Sequence, residues 1–263
     1  MIFGGIQKLT LLDYPDKTAC ALFTIGCNFL CPFCHNVSLI IEVEEQQDNI
    51  EQDRTRGQVN CLGRTQDSEP ASLIRTQTHG TKTTNESEVL EFLATRQGLL
   101  DGVCISGGEP LLHNNLEGFI DKVKALGFLV KLDTNGSFPD KMEALIKNGK
   151  IDYVAMDIKN APEKYAKTIG MPEYDITPIE KSMQVLRTGE IPYEFRTTVV
   201  REFHALDDLL SIARWISRAD KFYLQSFVNS DGVLTRGLSA YTDSEMQRFL
   251  VEIRKILPET NLR

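Results

Sequence analysis

Short apolar runs and longer amphipathic stretches take turns along most of this chain. Residues 18–25 form an apolar run between Pro15-Asp16-Lys17 and Gly26, as expected of a buried strand. From residue 85 the alternation is regular. It predicts a helix over 85–97, capped by Asn85 or Ser87, with Val89, Leu90 and Leu93 on its apolar face. A strand over 102–106, a helix near 115–126 and a strand over 128–133 follow, then a helix near 139–148 and a strand over 151–157. Helical material over 162–187 is interrupted around Gly170-Met171-Pro172. A strand over 193–200, a helix over 206–217, a strand over 221–227 and a closing helix over 244–257 complete the pattern. Six strands, five of them reached through helical crossovers, predict an α/β protein with a parallel sheet and right-handed connections. Six β/α units suit an open or partial barrel, because a closed eight-stranded one needs two more.

One stretch breaks the rhythm. Over 42–84 the chain turns to Gln, Thr, Asp, Glu and Arg, with only scattered apolar residues such as Leu62, Leu73 and Ile74. Such a segment buries little, so it is expected as a polar, flexible insertion in a single domain spanning 1–263. Cys61 and His79 fall within it, and with no second cysteine at ligand spacing no second metal site is expected there. A net charge of -8 and the lack of any basic stripe argue against a nucleic-acid partner. No run approaches the roughly 18 apolar residues that cross a bilayer, and residues 1–10 carry no charged start with a long apolar stretch behind it. No membrane association and a cytoplasmic location are the expectation.

Candidate chemistry enters with the cysteines. Cys27, Cys31 and Cys34 are bunched just after the 18–25 strand, while Cys20, Cys61 and Cys104 are scattered, which suits metal binding in a reducing compartment better than disulfides. Cys20 and Cys104 lie inside strands and are expected in the core. Three close thiolates suit zinc or an iron-sulfur cluster; a structural zinc wants a fourth protein ligand, whereas a cubane held by three cysteines keeps one iron open. Loops that follow parallel strands share one rim. On that rim the chain places Ser106-Gly107-Gly108-Glu109-Pro110, Asp133-Thr134-Asn135-Gly136, Met156-Asp157-Ile158-Lys159 and, within the fifth strand, Arg196. Asp157 and Lys159 are two apart and point the same way in extended chain. A buried Arg196 needs an acidic neighbour or a ligand. Each of these could be a turn or a structural ion pair; all of them on the rim that carries the thiolates favour a binding site.

Cys27-x3-Cys31-x2-Cys34, with an aromatic before the last cysteine and Gly107-Gly108-Glu109-Pro110 further on, resembles the radical S-adenosylmethionine (SAM) enzymes. Asp13-Tyr14-Pro15, Gly26-Cys27-Asn28, Cys34-His35-Asn36, Leu132-Asp133-Thr134-Asn135-Gly136 and Ala155-Met156-Asp157-Ile158-Lys159 widen the match. Over about 1–41 and 85–240 the chain is similar to the glycyl-radical-enzyme activases, most of all to the anaerobic ribonucleoside-triphosphate reductase activating proteins.

The resemblance implies a partial (β/α)6 TIM-like barrel of the radical SAM type and a 4Fe-4S cluster on Cys27, Cys31 and Cys34. The open iron would be chelated by SAM, whose reductive cleavage gives methionine and a 5′-deoxyadenosyl radical. That radical would take a hydrogen atom from a backbone glycine of a glycyl radical enzyme, here the large subunit of anaerobic (class III) ribonucleotide reductase. A flavodoxin- or ferredoxin-type protein would donate the electron. Carried over by position, Gly107, Gly108 and Glu109 meet the methionyl amino group, Asp157 and Lys159 lie near the methionyl end, and Arg196 contacts SAM. Asp133, Thr134, the Ala155 carbonyl and Asp157 match a monovalent-cation site of the pyruvate formate-lyase activases. Where those relatives carry a histidine near adenine, this chain has Leu224-Gln225-Ser226-Phe227, and paired cysteines for further clusters are missing. His35 is expected beside the cluster rather than on it. Competing readings are activation of another glycyl radical enzyme, of the pyruvate formate-lyase type; a radical SAM enzyme acting on a small molecule such as a deazaguanine precursor; and a zinc or electron-carrying module without catalysis. Cys31→Ala, which leaves two thiolates of the three, is expected to abolish cluster assembly and SAM cleavage; iron and sulfide analysis after anaerobic purification reads the first directly.

Overall fold

The computed structural model describes residues 1–40, 83–189 and 191–263. Among them runs one nine-stranded sheet: β1 (Ile2–Thr10), β2 (Ala19–Thr24), β3 (Thr84–Asn85), β4 (Gly102–Gly107), β5 (Leu129–Thr134), β6 (Tyr153–Asp157), β7 (Tyr193–Val199), β8 (Phe222–Ser226) and β9 (Thr260–Leu262). Their order is β3-β1-β2-β4-β5-β6-β7-β8-β9, and β3 and β9 do not meet, so the sheet curls without closing. The six strands read from the sequence are β2 and β4 to β8, all paired in parallel. Three further strands extend the edges: β1 antiparallel to β2, β3 antiparallel to β1, and β9 parallel to β8. The expected insertion over 42–84 lies, but for its last two residues, outside the described residues, and so do Cys61 and His79.

Helices cover the outer face: α1 (Val37–Ile40), α2 (Glu86–Ala94), α3 (Leu116–Ala125), α4 (Pro139–Lys147), α5 (Pro162–Thr168), α6 (Thr177–Thr188), α7 (Leu206–Trp215) and α8 (Asp243–Arg254). Asn85 caps α2 in a reciprocal box, its side chain accepting from the Glu88 amide at 3.0 Å while Glu88 accepts from the Asn85 amide at 2.9 Å. The break expected near residue 170 separates α5 from α6. Gly170 sits there at φ +74, and a Cβ would come within 2.4 Å of the Leu30 carbonyl oxygen.

Strand alternation sorts the sheet into two faces. Leu22, Val103, Ile105, Val130, Leu132, Val154, Met156, Phe195, Phe222 and Leu224 turn outward into the main apolar core, where they meet helix residues such as Phe119, Ile120, Met183, Leu209 and Ile253. The inner phase is different in kind. Cross-strand neighbours Ala21, Cys104, Lys131 and Tyr153 form one inner row, with Asp133, Asp157, Glu194 and Arg196 nearer the C-terminal rim. Below them Tyr14, Ala19, Tyr153 and Leu129 make a separate small apolar cluster that floors the barrel. The rings of Tyr14 and Tyr153 lie 6.0 Å apart, and Tyr14 also packs against Gly102. The Asp13-Tyr14-Pro15 turn is therefore the plug of the N-terminal mouth. Tyr14→Ala empties that floor and is expected to destabilise the protein by about 3 kcal/mol, read from chemical denaturation.

Candidate functional site

The cysteine loop leaves β2 at its C-terminal end and is pinned from several sides. The Gly26 amide donates to the Leu39 carbonyl at 2.5 Å and the Leu30 amide to Ile169 at 3.0 Å. The Thr235 and Leu234 amides donate to the carbonyls of Pro32 at 2.9 Å and Cys34 at 3.2 Å. Phe29 meets Tyr174 edge-on at 5.2 Å, and Phe33 packs on Phe203 at 5.6 Å. Cys27, Cys31 and Cys34 thereby line one cavity of about 190 Å³. His35 lines it too, its ring 5.2 Å from that of Phe227 at the end of β8.

Burial pushes the Cys27 thiol up to about 11 and Cys31 to about 12, and raises Cys34 as well; Lys159 acts against the rise at all three. As thiolates these groups need a cationic companion. Among the described residues no three His, Cys, Asp or Glu side chains converge on a point that would hold a single metal ion. Three soft donors spread around one cavity fit a multi-iron cluster better than a lone zinc. A cationic cluster core there would offset the burial that keeps the thiols protonated.

Gly107 and Gly108 come from the end of β4 and face the same cavity. Their lack of side chains serves the fold first. A Cβ on Gly108 would lie 1.9 Å from the Gly26 carbonyl oxygen, and Gly107 has φ +117 with the Thr24 amide nitrogen 2.2 Å from where its Cβ would be. Freed of that clash, the Gly108 amide donates to Thr24 at 3.0 Å and the Glu109 amide to Gly26 at 2.8 Å, clamping the glycine turn onto the cysteine loop. Glu109 is fully buried and its carboxylate turns away from the cavity. It accepts from the Asn135 amide at 2.7 Å, the Thr134 hydroxyl at 2.9 Å and the Leu111 amide at 3.1 Å, tying the loop after β4 to the loop after β5. Burial outweighs those donors and pushes its pKa up to about 7.

The remaining expected residues, Asp133, Asp157, Lys159 and Arg196, all line the cavity. They form an ionic ladder with a fifth member, Lys131. Lys131 Nζ pairs with Asp133 Oδ1; Arg196 Nη1 reaches Asp133 Oδ2 at 3.1 Å and its Nε reaches Asp157 Oδ1 at 2.9 Å; Lys159 Nζ meets Asp157 Oδ2 at 2.9 Å. Burial would raise Asp133, but Arg196 and Lys131 hold it well below the usual carboxylate range. Asp157 is lowered in the same way, against burial, by Arg196 and Lys159. Sequence reading passed over Lys131, although a lysine two residues before Asp133 in an otherwise apolar strand shares its face. It also passed over His204, which gave no signal: buried after β7, it accepts from the Val200 amide at 3.1 Å and donates to the Lys159 carbonyl at 2.8 Å, holding the backbone of the last rung. Cys104 is a buried core thiol, as its strand position implied, with Lys131 Nζ at 3.8 Å.

A monovalent cation on Asp133, Thr134, the Ala155 carbonyl and Asp157 does not fit this arrangement. Both carboxylates are engaged by side-chain cations, and the Thr134 hydroxyl donates to Glu109 while accepting from the Gly136 amide at 3.1 Å.

Comparison with known proteins agrees with this geometry. A sequence model of the radical SAM superfamily matches residues 22–216. The chain is similar to a Methanocaldococcus jannaschii protein provisionally named a glycyl-radical enzyme activating enzyme, at 29% identity over 234 residues, covering 88% of this chain and 81% of that one. In fold it resembles a radical SAM methyltransferase from Sphaerobacter thermophilus (TM-score 0.66, 12% identity, covering 97% of this chain and 68% of that one). It also resembles a domain of pyruvate-formate lyase-activating enzyme from Bacteroides vulgatus (TM-score 0.51, 14% identity, covering 62% and 98%). The position of Glu109 carries its own test, in the protein without cluster or SAM. Its folded pKa lies above the ordinary 4.5, so its contribution to stability is complete below that value and is lost as pH rises through about 7. Glu109→Gln removes the titration. Between pH 5 and 8 its stability relative to the parent is expected to improve by about 2 kcal/mol, read from urea unfolding across that range.

Proposed function

The chain belongs to the radical SAM superfamily, and from that premise we propose that it activates a glycyl radical enzyme, the anaerobic (class III) ribonucleoside-triphosphate reductase. The observation that carries the reading is the M. jannaschii relative, aligned along 88% of this chain and named for activation of a glycyl radical enzyme. The open sheet supports it. Among the described residues β3 and β9 do not pair, so the sheet stays open on one side, as a backbone substrate requires.

Cys27, Cys31 and Cys34 would hold the 4Fe-4S cluster of this superfamily, which with SAM would supply a reductively generated carbon radical. The chain's own residues bind, orient and shield. Gly107 and Gly108 bring bare backbone to the wall of the cavity, where it can meet the methionyl amino group. Lys159 and Arg196 set positive charge in the same cavity, suited to the methionyl carboxylate. Phe29 and Phe33 wall the cluster loop with apolar surface, which keeps water from a radical that would otherwise be quenched. A flavodoxin- or ferredoxin-type donor is the reductant this reading requires.

No helix among the described residues is long and apolar enough to cross a membrane. Reduced, cluster-loaded protein incubated anaerobically with SAM and a class III reductase is expected to give a glycyl radical signal in electron paramagnetic resonance. SAM cleavage without that signal, or a signal on a pyruvate formate-lyase type partner instead, would overturn the assignment of the reductase.

A further inference from the structure

We propose that Lys131 is a built-in replacement for an exchangeable monovalent cation at the SAM site, so that SAM binding by this protein is independent of potassium or sodium. The inference rests on SAM as the ligand of the cavity and not on the identity of the protein partner. Its ground is the pairing of the ladder. Asp133 and Asp157 present four carboxylate oxygens, and each has one cationic donor: Lys131 and Arg196 on Asp133, Arg196 and Lys159 on Asp157. With every one of these oxygens taken by a side-chain cation, a further small cation entering the ladder would find no free carboxylate oxygen and three cations close by.

Lys131 is the member that makes the difference. Arg196 and Lys159 line the cavity and are free to exchange a carboxylate of the protein for one of a ligand. Lys131 is fully buried and does not line it. Its ammonium sits in the inner row between Cys104, at 3.8 Å, and the ring of Tyr153, whose centroid is 5.9 Å away. From there it reaches Asp133 from below, on the side away from the cavity, and backbone register fixes it: Lys131 stands opposite Cys104 on β4 and Tyr153 on β6. When Arg196 turns toward a bound carboxylate, Asp133 keeps its charge compensated by a cation that cannot diffuse away. An ammonium group and a potassium ion are alike in charge and similar in size, so one stands in for the other at a carboxylate.

The test compares salts at constant ionic strength: potassium, sodium, ammonium and tetramethylammonium chloride, the last too large to enter. In cluster-loaded parent protein, the Kd for SAM is expected to vary by less than about twofold across the four. Lys131→Ala opens a cavity beside Asp133; its affinity is expected to fall about tenfold or more in tetramethylammonium and to recover most of that loss in potassium or ammonium. Lys131→Met fills the space without the charge, and is expected to lose affinity in every salt without rescue. A second readout needs neither cluster nor SAM: potassium should raise the unfolding temperature of the Lys131→Ala apoprotein above its value in tetramethylammonium, and leave the parent unchanged.

A parent protein whose SAM affinity drops more than about fivefold on removal of potassium overturns the proposal without any variant. Folded Lys131→Ala protein that binds SAM normally in every salt, or that no ion rescues, overturns it as well. If Lys131→Ala does not fold, the parent titration and Lys131→Met decide. A parent that binds no SAM in any salt would count against the SAM reading, while the apoprotein melting comparison would still decide the cation question.

Discussion

Pairing of the buried Asp133 and the half-buried Asp157 with three side-chain cations is the interaction on which the rest of the site depends. A carboxylate taken out of water without partners, as Asp133 would be, costs several kcal/mol, and the fold avoids that by giving every oxygen of both groups a charged donor. The geometry is cheap because it follows from strand alternation. Lys131 and Asp133 share a face of β5, Asp157 and Arg196 are register partners on β6 and β7, and Lys159 lies two residues beyond Asp157. The ladder thus joins three strand ends, and His204 holds its last rung by the Lys159 backbone. Charges that would be a liability in an apolar core set the shape of a polar one.

The cysteine loop has no such periodicity to rely on, and its order comes from backbone docking. Glycines at 107, 108 and 170 let two other segments approach its main chain, or that of Thr24 just before it, at distances no side chain would permit. Amides at Gly108, Glu109, Leu234 and Thr235 then donate to its carbonyls or to that of Thr24 just before it. Asn28 extends the same link sideways, accepting from Asn135 and donating to Ser137, each at 2.9 Å. A loop held this way presents its sulfurs in fixed positions before anything binds, which spares the ordering cost at binding.

Which parts of this were legible in the sequence follows from the same physics. The six parallel strands were readable because each is an apolar run framed by helical periodicity, and the rim motifs because chemistry-bearing residues sit directly after those runs. β1 was missed because Gly4, Gly5, Gln7 and Lys8 dilute its apolar pattern; β3 and β9, of two and three residues, exist only through their neighbours. The turn at Gly107-Gly108-Glu109 was readable as a close approach, but not the direction of its carboxylate, since that depends on which amides the next loop offers. Lys131 was not legible because mid-strand positions are core in most sheets, and a polar interior is a property of the curled sheet rather than of the single strand.

Charge balance finally ties the ladder to the cysteine loop and gives Glu109 a place in the site. The ladder carries one surplus positive charge. Three thiolates around a cubane core of two positive charges would leave one negative charge, so the two features would cancel within a region where net charge is expensive. Glu109 has a pKa pushed up to about 7 by its burial. It is held by three donors that favour the carboxylate and by burial that disfavours it. Glu109 therefore fastens the loops after β4 and β5 to each other from outside the cavity, and the charged features of the site balance without its carboxylate.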